Sequence, residues 1–254
     1  MLEINEIFGP TIQGEGKLVG SPSVFIRFGK CNFKCEGFAV EYETPSGVKK
    51  CACDTYYAVD TEFKDTWTKY KSYEEIVGEV DKLISIYPYN YKIDIVITGG
   101  EPLLYWNKEE FQKLLEHYIN AGHKVTIETN ASLNLNIDKE YQKELLFSMS
   151  VKLSNSLEPI KKRININTLN TILNNTKESY LKFVIGKDFL NDAKKEINEI
   201  LSLIPKCDVY LMPLGDTAEQ INKNCEDVIN MSIENGFKYC DRLHIRVWDN
   251  KRGV

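Results

Sequence analysis

Four of the seven cysteines, Cys31, Cys35, Cys51 and Cys53, fall within a stretch of 23 residues, and this crowding constrains the chain more than any other feature. Cys31 and Cys35 flank Asn32-Phe33-Lys34, and Cys53 opens the string Cys53-Asp54-Thr55. Two thiolates four positions apart, with a third folded back beside them, make an incomplete cage for a [4Fe–4S] cluster, which normally takes four cysteines. Three thiolates leave one iron with an open coordination position, which points to chemistry at the cluster rather than electron storage. Either Cys51 or Cys53 could supply the third thiolate, and spacing alone does not separate them. The competing reading is a non-catalytic zinc module using all four cysteines as C-x3-C-x15-C-x-C. The single residue between its last two ligands is shorter than the about two to four usual in zinc sites. Cys207, Cys225 and Cys240 stand far along the chain and read as small hydrophobes.

Residues 36–50 separate the second cysteine from the Cys51/Cys53 pair. Phe38 to Glu43 alternate, Thr44-Pro45-Ser46-Gly47 has turn chemistry, and Val48-Lys49-Lys50 leads back. The pattern predicts a small hairpin that returns the chain to its starting point. An odd cysteine count, no signal peptide and no apolar run of membrane-spanning length predict a reducing, cytoplasmic setting. The 32 basic and 37 acidic residues are interspersed, with a net charge of −5. Without a basic stripe, a small molecule is the expected partner, rather than nucleic acid or a membrane. The length of 254 residues predicts one domain, 1–254, carrying 36–50 as an insertion.

Further along, short apolar runs alternate with amphipathic stretches. Strands are expected at Val24–Phe28, Ile93–Thr98, Lys124–Thr129, Leu146–Leu153, Tyr180–Ile185, Val209–Met212 and Leu243–Trp248. Ser72 with Glu75 predicts a capping box for one helix, and Asn107 the cap of the next. Helices are also expected at Asp192–Leu203 and Ala218–Asn235. This βα repetition implies an α/β fold of parallel strands with helical crossovers. Active sites of parallel barrels gather at the carboxyl ends of the strands.

Several strings sit at those ends or before the cysteines. They are Phe8-Gly9-Pro10-Thr11-Ile12-Gln13-Gly14-Glu15-Gly16, Gly20-x-Pro22, Phe25-Ile26-Arg27, Ile97-Thr98-Gly99-Gly100-Glu101-Pro102, Glu128-Thr129-Asn130, Ser150-Val151-Lys152 and a tail from Arg242-Leu243-His244 to Gly253. With the cysteine strings, they resemble the radical S-adenosylmethionine (SAM) enzymes, and within them the 7-carboxy-7-deazaguanine synthases, which make queuosine-type deazapurines. The chain departs from the general radical SAM spacing, in which two residues separate the second and third cysteines, and a proline is more usual at Val151.

The resemblance implies a partial, open (β/α) barrel with a hairpin-like insertion in the cluster-binding loop. It selects Cys53, which precedes Asp-Thr, as the third ligand beside Cys31 and Cys35. It implies conversion of 6-carboxy-5,6,7,8-tetrahydropterin to 7-carboxy-7-deazaguanine, by hydrogen abstraction at C6 and radical ring contraction with loss of ammonia. SAM would be contacted by Gly100, Glu128, Ser150 and Lys152. The substrate would meet Gln13, Gly14 and Glu15 at its pyrimidine edge, Arg27 at its carboxylate, and Thr98 and His244 elsewhere. Mg²⁺ would sit on Thr55. A flavodoxin or ferredoxin would supply electrons, and the chain would form a homodimer. No residue is assigned as a proton-transfer acid or base. The terminal carboxylate of Val254 is expected to reach the site. A radical SAM activase that makes a glycyl radical on a partner protein is the enzymatic alternative.

Overall fold

The computed structural model describes residues 1–88 and 90–253, so the Val254 carboxylate lies outside the described residues. The chain opens with strands β1 (Leu2–Ile12) and β2 (Pro22–Phe28), followed by the hairpin β3 (Val40–Glu43) and β4 (Lys49–Ala52). Helix α1 (Tyr56–Val59), β5 (Thr68–Tyr70) and α2 (Tyr73–Ile84) come next. Strands and helices then alternate as β6 (Asp94–Gly99), α3 (Glu109–Asn120), β7 (Val125–Thr129), α4 (Glu140–Lys143) and β8 (Leu146–Met149). They continue with α5 (Ile160–Arg163), α6 (Ile166–Asn175), β9 (Tyr180–Ile185), α7 (Leu190–Leu201), β10 (Val209–Pro213), α8 (Ala218–Asn235), β11 (Lys238–Tyr239) and α9 (Leu243–Trp248).

One sheet runs in the order β11-β10-β9-β8-β7-β6-β2-β1-β5. Every neighbouring pair from β11 to β2 is parallel, while β1 runs antiparallel to both β2 and β5. Side chains alternate between the two faces of a strand, and β9 shows what each face meets. Leu181, Phe183 and Ile185 pack into the main core with the helices, whereas Tyr180 and Val184 join a second, smaller cluster with Leu146, Tyr210, Met212 and Cys240. Lys182 shares the face of Tyr180 and Val184.

The sheet is strongly curved. Glu15, just after β1, touches Lys182 on β9, although four strands stand between β1 and β9 in the sheet. At about 4.8 Å per strand, a flat sheet would hold them roughly 24 Å apart. Contact across that span requires the parallel strands to wrap into a partial barrel, which stays open because β11 and β5 are unpaired edges.

The helix and strand expectations hold with four corrections, the first being that the strand expected at Leu146–Leu153 ends at Met149. Leu243–Trp248 is a helix and not a strand. Its apolar residues do not line one sheet face: Ile245 is buried and Val247 is 56 % exposed. Asn107 does not cap α3; Lys108 holds that position. Ser72 does precede α2, but no side-chain cap forms there, and Glu75 accepts from the Lys71 amide instead. Among the described residues no helix is long and apolar enough to cross a membrane.

Candidate active site

The cysteine loop leaves β2 through Gly29 and Lys30 and is fastened to the strand ends beside it. The Lys30 carbonyl accepts from the Glu101 amide at 2.8 Å, and the Lys30 amide donates to Ala58 O at 2.8 Å. Gly100 allows this approach: a Cβ there would lie 2.1 Å from the Lys30 oxygen and 3.1 Å from Cys31 Cβ. Asn32 accepts from Asn130 Nδ2 at 2.9 Å and donates to Ser132 at 2.8 Å, tying the loop to the end of β7. Glu101 is fully buried, and its carboxylate accepts from Leu103 N, Thr129 Oγ1 and Asn130 N, so it locks the ends of β6 and β7 together.

Cys31, Cys35 and Cys53 face one cavity of about 430 Å³. Burial, then the nearby Glu101 carboxylate, pushes the Cys31 thiol up. Burial pushes Cys35 up to about 12, and burial followed by Asp54 raises Cys53. Cys53 also bears on the titration of both other thiols. Yet among the described residues no three Cys, His, Asp or Glu side chains converge tightly enough for a single metal ion. Three thiols lining one pocket are the donor set for a [4Fe–4S] cluster that keeps one iron open, one short of its usual four cysteines. Binding would withdraw their protons. Cys51 is exposed on β4, opposite Glu41, and does not line the cavity.

A polar group lies across the cavity. Glu128 accepts from Gln13 Nε2 at 3.2 Å and from Thr98 Oγ1 at 2.8 Å, while Gln13 Oε1 accepts from the Glu15 amide at 3.0 Å. Glu15 accepts from Lys182 Nζ at 2.5 Å and from Arg242 Nε at 2.9 Å. Burial opposes its ionisation, but Lys182 and Arg242 outweigh burial and hold the carboxyl well below the usual carboxylate range. Arg242 also donates to Asp54 Oδ2 and to the Gly215 carbonyl, each at 2.5 Å. His244 packs on Gly14, where a Cβ would fall 2.0 Å from its Nδ1, and its Nε2 is 3.9 Å from Glu15 Oε1. Burial pushes this imidazole down, against the pull of Glu15.

Arg27 donates through Nε to Glu6 at 2.7 Å and lies over the rings of Phe8 and Tyr57. At the cysteine side, Lys152 Nζ donates to Ser150 Oγ at 3.0 Å and sits over the Phe38 ring. The Thr55 hydroxyl is 3.3 Å from Cys53 Sγ.

All fourteen residues singled out from the sequence line this one cavity. Lys182 was missed, and Asp54, Glu101 and Arg242 were quoted in motifs without a role. The available signal for Lys182 was a lone charge inside the apolar strand Tyr180-Leu181-Lys182-Phe183-Val184-Ile185, a residue type that is almost never fully buried unless paired.

The profile of the 4Fe-4S single cluster domain matches residues 12–175. The 7-carboxy-7-deazaguanine synthase of Rhodopirellula baltica is 30 % identical over 95 % of this chain and 85 % of its own length. That of Halobacterium salinarum is 29 % identical over 98 % and 91 %. The crystal structure of QueE from Escherichia coli superimposes with a TM-score of 0.63, covering 96 % of this chain and 94 % of that one. At 19 % identity the likeness to that structure speaks for the fold alone. A cavity lined by three thiols, on a partial barrel that matches these relatives over nearly its whole length, has one consistent reading: the chain belongs to the 7-carboxy-7-deazaguanine synthases, a family of radical SAM lyases that use a [4Fe–4S] cluster.

Proposed function

We propose that residues 1–254 act as a single radical SAM domain that converts 6-carboxy-5,6,7,8-tetrahydropterin to 7-carboxy-7-deazaguanine, with hydrogen removal at C6, ring contraction and loss of ammonia. Cys31, Cys35 and Cys53 hold the cluster, and Gly100, Glu128, Ser150 and Lys152 line the place for SAM. Bound together, cluster and SAM supply one-electron cleavage of a carbon–sulfur bond and hence the means of hydrogen abstraction. Gln13, Gly14, Glu15, Arg27, Thr98 and His244 bind and orient the pterin, and Thr55 offers its hydroxyl to a Mg²⁺ ion on the substrate carboxylate.

The observation that carries this reading is the state of Glu15. Two buried cations keep it a carboxylate, which only accepts hydrogen bonds. The 2-amino-pyrimidinone edge of a pterin presents N–H donors to such a group. Arg27 has its Nε engaged by Glu6, and among the described residues its two Nη atoms donate to no protein group. That leaves a planar fork suited to a carboxylate. A buried set of ion-paired readers favours a small polar heterocycle over the loop of a partner protein.

The test is anaerobic reconstitution with iron and sulfide, then SAM, a reductant, Mg²⁺ and the tetrahydropterin, with mass spectrometry of the product. Deazaguanine formation supports the reading. SAM cleavage without that product rejects the substrate.

A further inference from the structure

Single exposed apolar side chains are ordinary, but Leu157 and Ile160 are 72 % and 62 % exposed and lie in one short segment with Pro159, also exposed, between them. This segment clasps the outer side of the cysteine loop. Glu158, with its side chain buried, accepts from the amides of Lys34 at 2.6 Å and Cys35 at 3.1 Å. Gly37 fits against the same segment, where a Cβ would lie 2.0 Å from the Asn155 carbonyl and 2.9 Å from Leu157 Cγ. Lys162 closes the clasp, bonding Glu158 at 2.9 Å and lying over the Phe33 ring. One hydrogen bond therefore separates the patch from a cysteine assigned to the cluster.

The charge of this surface runs against that of the whole chain. Lys34, Lys161 and Lys162 are exposed around the apolar centre, with Glu36 as the exposed carboxylate nearby. Lys34 and Lys161 form no ion pair among the described residues. The chain as a whole carries −5. A cationic, apolar-centred patch on an acidic protein suits a partner of opposite sign, since complementary charge speeds encounter and suppresses wrong pairings. A second copy of this chain would set the same lysines against each other across a two-fold contact.

We infer that Lys34 and the segment Leu157–Lys162 form the docking surface for a small acidic electron-carrier protein. The inference rests on the cluster reading above. The carrier gives up one electron and the cluster gains it, with no bond broken and no proton moved. The small patch fits a weak, transient encounter, as electron-transfer contacts commonly are.

The test compares the cluster-loaded chain with its Lys34→Glu/Lys161→Glu variant, following bleaching of the cluster's visible absorbance in stopped flow. The reductants are a reduced flavodoxin and, separately, dithionite. The flavodoxin rate is expected to fall about ten-fold or more while the dithionite rate stays within about two-fold. An unchanged flavodoxin rate, or equal losses with both reductants, would overturn the inference. Should the variant fail to load iron, the flavodoxin rate of the unaltered chain decides: it must fall several-fold between about 20 and 300 mM salt as screening shortens, and a salt-independent rate rejects docking by charge. Leu157→Asp that converts a dimer to monomers by light scattering, with flavodoxin reduction unchanged, assigns the patch to contact between copies and likewise overturns the inference. A chain that bleaches normally but makes no deazaguanine with dithionite refutes the proposed substrate and leaves the docking result standing.

Discussion

The Lys182 ammonium donates to Glu15 Oε2 at 2.5 Å, joining the middle of β9 to the turn that follows β1. The Lys182 side chain is buried and that of Glu15 nearly so, and the pair spans the interior of the curved sheet. It therefore fastens the barrel's two sides together and also fixes the charge of a proposed substrate reader. Buried pairs of this kind add little net stability, but removing one partner strands the other.

Lys182→Met leaves Glu15 with Arg242 as its cation. Chemical unfolding of the cluster-free chain should show a loss of about 3 kcal/mol, the low end for a broken buried pair. Combining it with Glu15→Gln removes the stranded charge, so the double variant should lose about 1–2 kcal/mol less than the two single losses added. Strict additivity would mean that the two side chains do not act as a pair.

The cysteines separate by exposure. Cys53→Ala should abolish iron and sulfide binding and the cluster's visible absorbance, whereas Cys51→Ala, altering an exposed thiol on β4, should retain both. Loss of iron from the Cys51 variant would make Cys51 a cluster ligand.

Gly100→Ala pushes a methyl group into the Lys30 carbonyl. Overpacking of this sort costs about 1–3 kcal/mol, and here the element that must shift is the cysteine loop. The variant should keep its far-ultraviolet circular dichroism and lose most of its iron. Full iron content would show that the loop yields without harm to the cluster site.

His244 carries a pH signature. Burial holds its folded pKa below the unfolded value of about 6.5, so the unfolded chain binds the proton more readily. That contribution to stability is complete above the unfolded pKa and is lost as pH falls toward the depressed folded pKa. Unfolding midpoints should therefore drop between about pH 7.5 and 5.5, and His244→Gln should reduce the drop. His123, which burial also depresses, accounts for part of what remains. An identical drop in both proteins would exclude His244 as a contributor.

Thr55 tests the proposed Mg²⁺ site. Thr55→Ala should cut the stimulation of product formation by Mg²⁺ while SAM cleavage persists. Undiminished stimulation removes the assignment.

Much of this was legible in the residues because it is local. The apolar run Tyr180–Ile185 and the amphipathic stretch Ala218–Asn235 form a strand and a helix with the expected bounds. The motif residues were found through their likeness to a family, since a string such as Gln13-Gly14-Glu15-Gly16 alone would pass for a surface turn. Leu243-His244-Ile245-Arg246-Val247-Trp248 misled because alternation suits a strand. It is instead a short helix whose start is tied down by the Leu243 amide donating to Gly14 O at 2.9 Å, a contact made only after the barrel has curved. Lys182 is a lone charge in an apolar strand, which signals a buried pair but not its partner, because that partner lies 167 residues away in sequence.

The β3–β4 hairpin pairs Val40 with Ala52 at its base and Glu43 with Lys49 at its far end. Because both strands start from the same place, two residues added at the tip extend the ladder by one pair and leave Cys53 where it was. Loop length is thus uncoupled from the spacing of the thiols in space. The distance in sequence between the second and third cysteine is free to drift, growing or shrinking in steps of two, while the chemistry beneath it is held constant.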